Sequence, residues 1–158
     1  MKTIPLKKLI ILILCAGLFF AGQEASHGFS GVEVTVEVIK ADQNSSEVDP
    51  QLKDLVKELS PVLNYSGFAL LKKTALRLEE QEKGEVLLPS GRLLSLQFQG
   101  LKDNEARLAV KILEKGKETF RTILLLVNKG SVLIGGFPYK GGFLLLRIGG
   151  TFSNTKGR

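Results

Sequence analysis

The chain contains a single histidine and a single cysteine, and neither lies where catalysis could use it. Cys15 falls inside an apolar run near the N-terminus, and His27 follows that run, before the first predicted strand. A His-based triad and a histidine metal site both need an imidazole held rigidly beside its partners. We therefore expect no cofactor, no metal site and no enzyme that depends on a histidine or cysteine.

A calcium-loop spacing occurs once, but the pattern is incomplete. Asp42, Asn44 and Ser46 have the 1, 3, 5 spacing of calcium ligands. Glu47 then replaces the glycine of the sharp turn, and Lys53 replaces the glutamate that closes the cage. We interpret the segment as a polar loop that caps the helix after it.

Two further patterns could support hydrolysis. Ser153 and Lys156 match the S-x-x-K motif, which needs a helix to bring lysine to serine, whereas here they lie among glycines. A pair of carboxylates could cleave a glycosidic bond, but such a pair meets only in the fold. The candidate acids are expected on solvent-facing strand positions or in turns: Glu33, Glu37, Glu79, Glu80, Glu82 and Glu85.

The most distinctive local segment is GGFPYKGG, residues 135–142. A phosphate-binding loop would lead into a helix, whereas these glycines lead into the strand-like run FLLLRI, so we predict a β-turn. Its aromatic residues, Phe137 and Tyr139, are then expected on an exposed loop tip, next to Lys140. Exposed aromatic side chains are common anchors at interfaces. Phe137, Tyr139 and Lys140 are therefore the predicted partner contacts.

The segments that position these residues are predicted to be mostly strands. Residues 32–39 alternate between valine or isoleucine and polar residues, as in a half-buried strand. Asp49-Pro50 offers an N-cap followed by proline at the first helical position. Apolar residues at helical spacing follow, so we predict one amphipathic helix near residues 50–60, which Pro61 ends.

From Tyr65 onward, short alternating runs separated by Gly-, Pro- and Asn-containing turns predict strands to the end of the domain. The expected fold is α+β but mainly β. It is an antiparallel meander of seven or eight strands, curled into a sandwich or partial barrel, with the helix against it. We expect one domain over residues 30–149 and a flexible tail over residues 150–158.

Residues 1–25 have the pattern of a secretory signal peptide. Three lysines precede an apolar run of 14 residues, Leu9–Gly22, which is short for a membrane span. An uncleaved anchor and a lipoprotein modified at Cys15 are the alternatives. We expect export to the periplasm or the extracellular space of a bacterium, with membrane contact only through this segment. Cleavage would leave a mature domain without cysteine and therefore without disulfides.

The formal net charge of the whole chain is +6. Nucleic-acid-binding proteins concentrate lysine and arginine on one face, whereas here these residues are scattered among acids. We therefore expect no nucleic-acid partner.

Four segments, VDPQLKDLVKEL, YSGFALL, LPSGR and GGFPYKGG, resemble a small group of bacterial exported proteins of no assigned function. The matching residues are turns, caps and apolar strands, and the resemblance implies an exported one-domain protein without a catalytic residue to transfer. We expect a non-catalytic binding or assembly accessory domain whose partner is another envelope protein, bound at a strand edge or at the aromatic tip. The alternatives are a small β-barrel carrier of an apolar ligand and a carboxylate-based hydrolase.

Overall fold

The alternating valine segment forms a long strand, β1 (Gly31–Asp42), in the computed structural model, which describes residues 31–153. Its even-numbered valines are completely buried: Val32, Val34, Val36 and Val38. The residues between them face the other side of the sheet, as the period of two requires. The predicted signal peptide (residues 1–25), His27 and Lys156 lie outside the described residues.

The first sheet is built around β1. It pairs with β2 (Gly67–Glu79) on one side and with β8 (Gly142–Phe152) on the other, and β7 (Ser131–Tyr139) pairs with β8. All these pairs are antiparallel, and the strand order is β2-β1-β8-β7. The first and last strands of the described chain are therefore neighbours in the middle of this sheet.

The second sheet is a simple antiparallel meander. Its strands are β3 (Lys83–Leu87), β4 (Leu93–Lys102), β5 (Glu105–Glu114) and β6 (Lys117–Val127), in that order. The prediction of an α+β, mainly β, antiparallel sandwich of about eight strands is confirmed. Only the second sheet is a meander in which strands pair in chain order. In the first sheet, β8 lies between β1 and β7.

The main core lies between the two sheets. Each side chain of this size that is fully buried stabilises the fold by roughly 1.5–3 kcal/mol. The completely buried residues from the two facing sheets include Val34, Val36, Leu144, Leu146 and Ile148 from the first, and Leu94, Leu96, Leu108, Val110 and Ile112 from the second.

The predicted helix is confirmed near residues 50–60. Asp49 caps it, since one carboxylate oxygen accepts the Gln51 N–H at 3.0 Å. A 3₁₀ turn, Pro50–Leu52, leads into the short helix α1 (Lys53–Leu59). Leu52 is buried in a second, smaller core on the outer face of the first sheet, together with Ile39 and Leu145. Neither of the described helical segments is long and apolar enough to span a membrane.

Strand β8 extends past the predicted domain boundary at residue 149. Phe152 pairs with Val32 and is 4% exposed, and its N–H donates to the Asn128 side-chain oxygen at 3.0 Å. The prediction of a flexible tail from residue 150 is wrong for residues 150–152, because they belong to β8 and complete the first sheet. Residues 154–158 lie outside the described part of the chain.

Candidate functional site

The glycine pair at 135–136 does not turn the chain as expected. Strand β7 continues to Tyr139, and its pairing with β8 shifts register between Gly135 and Phe137. Gly136 is the extra residue of this bulge and has a φ of 100°. The actual turn is Lys140-Gly141, where both residues have positive φ, as in the tight turns of β-hairpins.

The bulge determines where the predicted partner contacts lie. After it, Phe137 and Tyr139 are half-buried and pack against the main core. The Phe137 ring meets Phe120 of β6 edge to face, with centroids 5.8 Å apart and planes at 86°. The prediction that Phe137 and Tyr139 lie exposed at a loop tip is wrong. The extra residue, Gly136, directs both rings towards the space between the sheets. Their contact with a partner remains a prediction.

Lys140 is the exposed member of the predicted trio. Its ammonium nitrogen lies 5.4 Å from the centroid of the Tyr139 ring, within the range of a cation–π interaction. This contact holds the lysine side chain over its neighbour in the turn.

The candidate acids on β1 are held by cations. Glu37 is paired with Lys73 at 2.9 Å and with Arg147 at 3.3 Å, and Glu33 is paired with Arg77 at 3.5 Å. Two carboxyl groups that hydrolyse a glycosidic bond must instead flank a cleft together, one of them protonated. These ion pairs therefore count against the hydrolase alternative.

The other acids lie in or beside the turn from β2 to β3. One Glu82 carboxylate oxygen accepts the Glu79 N–H at 2.8 Å, which closes the turn, while Glu80 and Glu85 are exposed. The geometry gives these residues a structural role or a solvated position.

The calcium-like spacing forms a local turn. One Asp42 carboxylate oxygen accepts the Asn44 N–H at 2.8 Å, and the other accepts the Lys40 ammonium at 3.0 Å. The backbone bond from Asn44, and then the bond from Lys40, hold the pKa of Asp42 below its usual range. Within residues 31–153, no group of three or more His, Cys, Asp or Glu side chains is placed to hold a metal ion.

A depression of about 550 Å³ lies where the loop before the 3₁₀ turn meets the start of β2. Val48 forms a parallel bridge with Phe68, whose N–H donates to the Glu47 carbonyl at 2.9 Å. The lining mixes these residues with Lys40 and Asp42. The space between the sheets is instead filled by the main core, and this packing counts against the carrier alternative.

The outer face of β6 carries an exposed row of aliphatic side chains. Ile123, Leu125 and Val127 are 41%, 53% and 55% exposed, whereas Leu124 and Leu126 between them are buried. We call Ile123, Leu125 and Val127 the β6 strip. Because β6 ends the order of the second sheet, no other strand within residues 31–153 pairs with its outer edge.

The other three edge strands carry features that discourage pairing with another chain. At the start of β2, the backbone of Phe68 is already hydrogen-bonded to the backbone of Glu47 and Asp49. Further along the same edge strand, Lys72 and Lys73 place charges. On β7 the bulge and Pro138 interrupt the edge. Strand β3 has five residues and is charged. Residues 122–127 of β6 contain no charge, proline or register shift.

Sequence reasoning identified β6 as a strand but did not single out its surface. The signal was the continuous apolar run ILLLV, residues 123–127, which would suit a strand buried on both faces. In the structure only one face is covered. Comparisons of the chain with protein-family models, with curated proteins and with solved structures found no match.

Proposed function

We propose that the chain is an exported, non-catalytic binding domain of the cell envelope that holds a partner protein along the edge of β6. The observation that carries this proposal is the β6 strip, three half-exposed aliphatic side chains on an unblocked edge strand. The sequence expectation of a strand edge as partner surface supports the same function.

The edge supplies the affinity through the backbone. An edge strand presents unpaired N–H and C=O groups, and an extended segment that pairs with them continues the sheet. The partner is therefore an extended peptide segment of another envelope protein, and its backbone bonds to residues 122–127.

The β6 strip supplies the selectivity. Side chains on one face of an added strand recur at every second residue, so the partner needs apolar residues at alternate positions beside Ile123, Leu125 and Val127. Covering the exposed half of each aliphatic side chain contributes roughly 1 kcal/mol. Just before the β6 strip, Arg121 donates two hydrogen bonds of 2.6 and 2.7 Å to the Glu118 carboxylate. This charged pair marks the end of the apolar surface. The apolar part of the partner segment thus spans about six residues.

Site-specific photo-crosslinking in the cells that express the chain tests this arrangement. A photoreactive residue replaces Leu125 in one variant and Leu87 in another. Leu87 is the matched control, because it is 61% exposed and lies on β3, at the opposite end of the same sheet. We expect one defined protein adduct from position 125 and none from position 87.

A second substitution, Ile123→Lys, shows whether the adduct depends on the strip. It places a charge beside position 125 on an exposed site, so the fold is retained, and it should abolish the adduct. Equal adducts from positions 125 and 87, or an adduct that survives Ile123→Lys, would contradict the proposal. An adduct with the mass of two copies of this chain would show that the edge pairs with itself, which would also contradict it.

Export is tested separately. Mass spectrometry of the protein recovered from the envelope fraction should show an N-terminus near residue 26. Full-length protein in the cytosol would refute export without bearing on the partner surface of β6.

A further inference from the structure

A depression of about 290 Å³ lies on the outer face of the first sheet, and the turn that follows the β6 strip forms part of its lining. Its lining is collected from β1, β2, β7, β8 and the turn between β6 and β7. We call it the basic depression, because three of the side chains that line it are cationic: Lys73, Lys129 and Arg147.

The charges in the basic depression do not balance. Glu37 is the one carboxylate among the described residues that line it. One of its oxygens is paired with Lys73 at 2.9 Å and the other with Arg147 at 3.3 Å. Lys129 then adds a third positive charge for which the lining holds no second acid. The depression is therefore suited to an anion.

Arg147 is oriented for this role by two neighbours. Its Nε–H donates to the Ser131 hydroxyl oxygen at 3.2 Å, and one terminal nitrogen donates to Glu37. Since the Ser131 oxygen acts as an acceptor here, its own proton can be donated to a ligand. The second terminal nitrogen of the guanidinium offers further N–H donors, which suit the oxygens of a phosphate or sulfate group.

Gly149 leaves the floor of the depression open. It pairs with Thr35 on β1 and with Ser131 on β7, and its φ is not positive. A Cβ atom there would lie 3.5 Å from the Gly130 carbonyl oxygen and 3.7 Å from the Ser131 Cβ, which are ordinary contacts. The backbone therefore does not require glycine, although glycine weakens a strand interior. What the missing side chain provides is space beside the cations.

We propose that the basic depression binds a phosphate-type oxyanion. Arg147 and Ser131 donate hydrogen bonds to its oxygens, and Lys73 and Lys129 balance its charge. The same chemistry is offered by inorganic phosphate and by the phosphate of an anionic lipid headgroup.

Binding is tested first with inorganic phosphate on the full chain, followed through the backbone amide NMR signals of Gly130, Gly149 and Gly150. We expect saturable shifts at these three amides. Gly149→Val fills the floor and suits a strand, and should weaken binding at least about tenfold, or about 1.4 kcal/mol. Lys129→Asn removes a charge at a positive φ that asparagine accepts, and should weaken binding several-fold.

Two further variants separate a built site from general surface charge. Glu37→Gln removes the acid that competes for the cations, so it should tighten binding while Gly149→Val weakens it. Lys102→Gln makes the same change of charge on the second sheet and is the matched control, which should leave binding unchanged. Equal weakening by Lys102→Gln and Lys129→Asn would overturn the proposal, and so would full binding by a folded Gly149→Val variant.

Vesicles distinguish the two sources of the phosphate. Flotation with phosphatidylglycerol vesicles is compared with flotation with phosphatidylcholine vesicles, each with wild type and Gly149→Val. Binding to phosphatidylglycerol that Gly149→Val abolishes identifies a lipid phosphate, whereas binding of inorganic phosphate alone identifies a free oxyanion. Absence of both, or vesicle binding that Gly149→Val does not alter, refutes the site.

Discussion

Alanine substitution is predicted to lower the free energy of unfolding at Gly142 and to raise it at Gly149, although both glycines lie in β8. Neither Gly142 nor Gly149 has a positive φ, so the backbone of both positions accepts an L-residue. A Cβ atom at Gly142 would press directly on the backbone carbonyl oxygen of Ala41 and lie 3.3 Å from Lys40 Cε. At Gly149 it would make only the ordinary contacts described above. Gly149→Ala is therefore the matched control for Gly142→Ala.

The magnitudes follow from these contacts. In either variant, alanine restricts the unfolded chain and by itself stabilises the fold by about 0.4–1 kcal/mol. At Gly142 the carbonyl belongs to β1, so one of the paired strands must shift, and overpacking of this kind costs about 1–3 kcal/mol. We expect Gly142→Ala to lower the free energy of unfolding by about 1–2 kcal/mol and Gly149→Ala to raise it by about 0.5 kcal/mol.

Urea unfolding followed by far-UV circular dichroism measures both changes, since the chain has no tryptophan. For a domain of this size, a gap of about 2 kcal/mol corresponds to melting temperatures that differ by roughly 6–10 °C. Equal shifts in the two variants would show that the close approach of β1 to Gly142 does not determine the outcome. A Gly142→Ala variant as stable as wild type would refute the reasoning from the Ala41 carbonyl.

Two other substitutions test the corrected aromatic segment and the loop after β1. Phe137→Ala should lower the free energy of unfolding by about 2 kcal/mol, because the ring packs on Phe120 and the core, whereas loss of an exposed tip would cost less than about 0.5 kcal/mol. The pKa of Asp42 is lowered in the folded state, so its carboxylate stabilises the fold above the usual value of 3.8, and this contribution is lost as the pH falls through the lowered pKa. Urea midpoints of wild type should therefore exceed those of Asp42→Asn near neutral pH and converge with them in acid, and a constant difference would contradict the assignment.

Local signals in the sequence were sufficient for most of the secondary structure. The valine alternation specified β1, and Asp49-Pro50 specified the start of the helical segment. The Lys-Gly pair at 115–116 is typical of a tight hairpin turn, and in the turn between β5 and β6 both residues have positive φ. These features depend only on neighbours within a few residues, so the local sequence is enough to predict them.

The glycine pair at 135–136 shows where local signals are ambiguous. Glycine permits positive φ in a turn and in a bulge alike, and nothing in its neighbours separates the two. The choice depends on β8, whose buried Leu144 and Leu146 continue the inner face beside Phe137 and Ile134. Only the pairing of the strands shows that β7 continues and turns its aromatic residues inward.

The two candidate sites depend on strand order, which no local pattern specifies. The outer face of the run at 123–127 is uncovered among the described residues, and its backbone edge is open because β6 ends its sheet, whereas a central strand would be paired on both edges. The basic depression depends on β8 lying beside β1, since Arg147 meets Glu37 across 110 positions of sequence. In a simple meander through all eight strands, β8 would be an edge strand remote from β1, and Arg147, Lys73 and Glu37 would be scattered solvated charges. The pairing of the first and last strands is therefore what converts ordinary surface residues into a potential anion site.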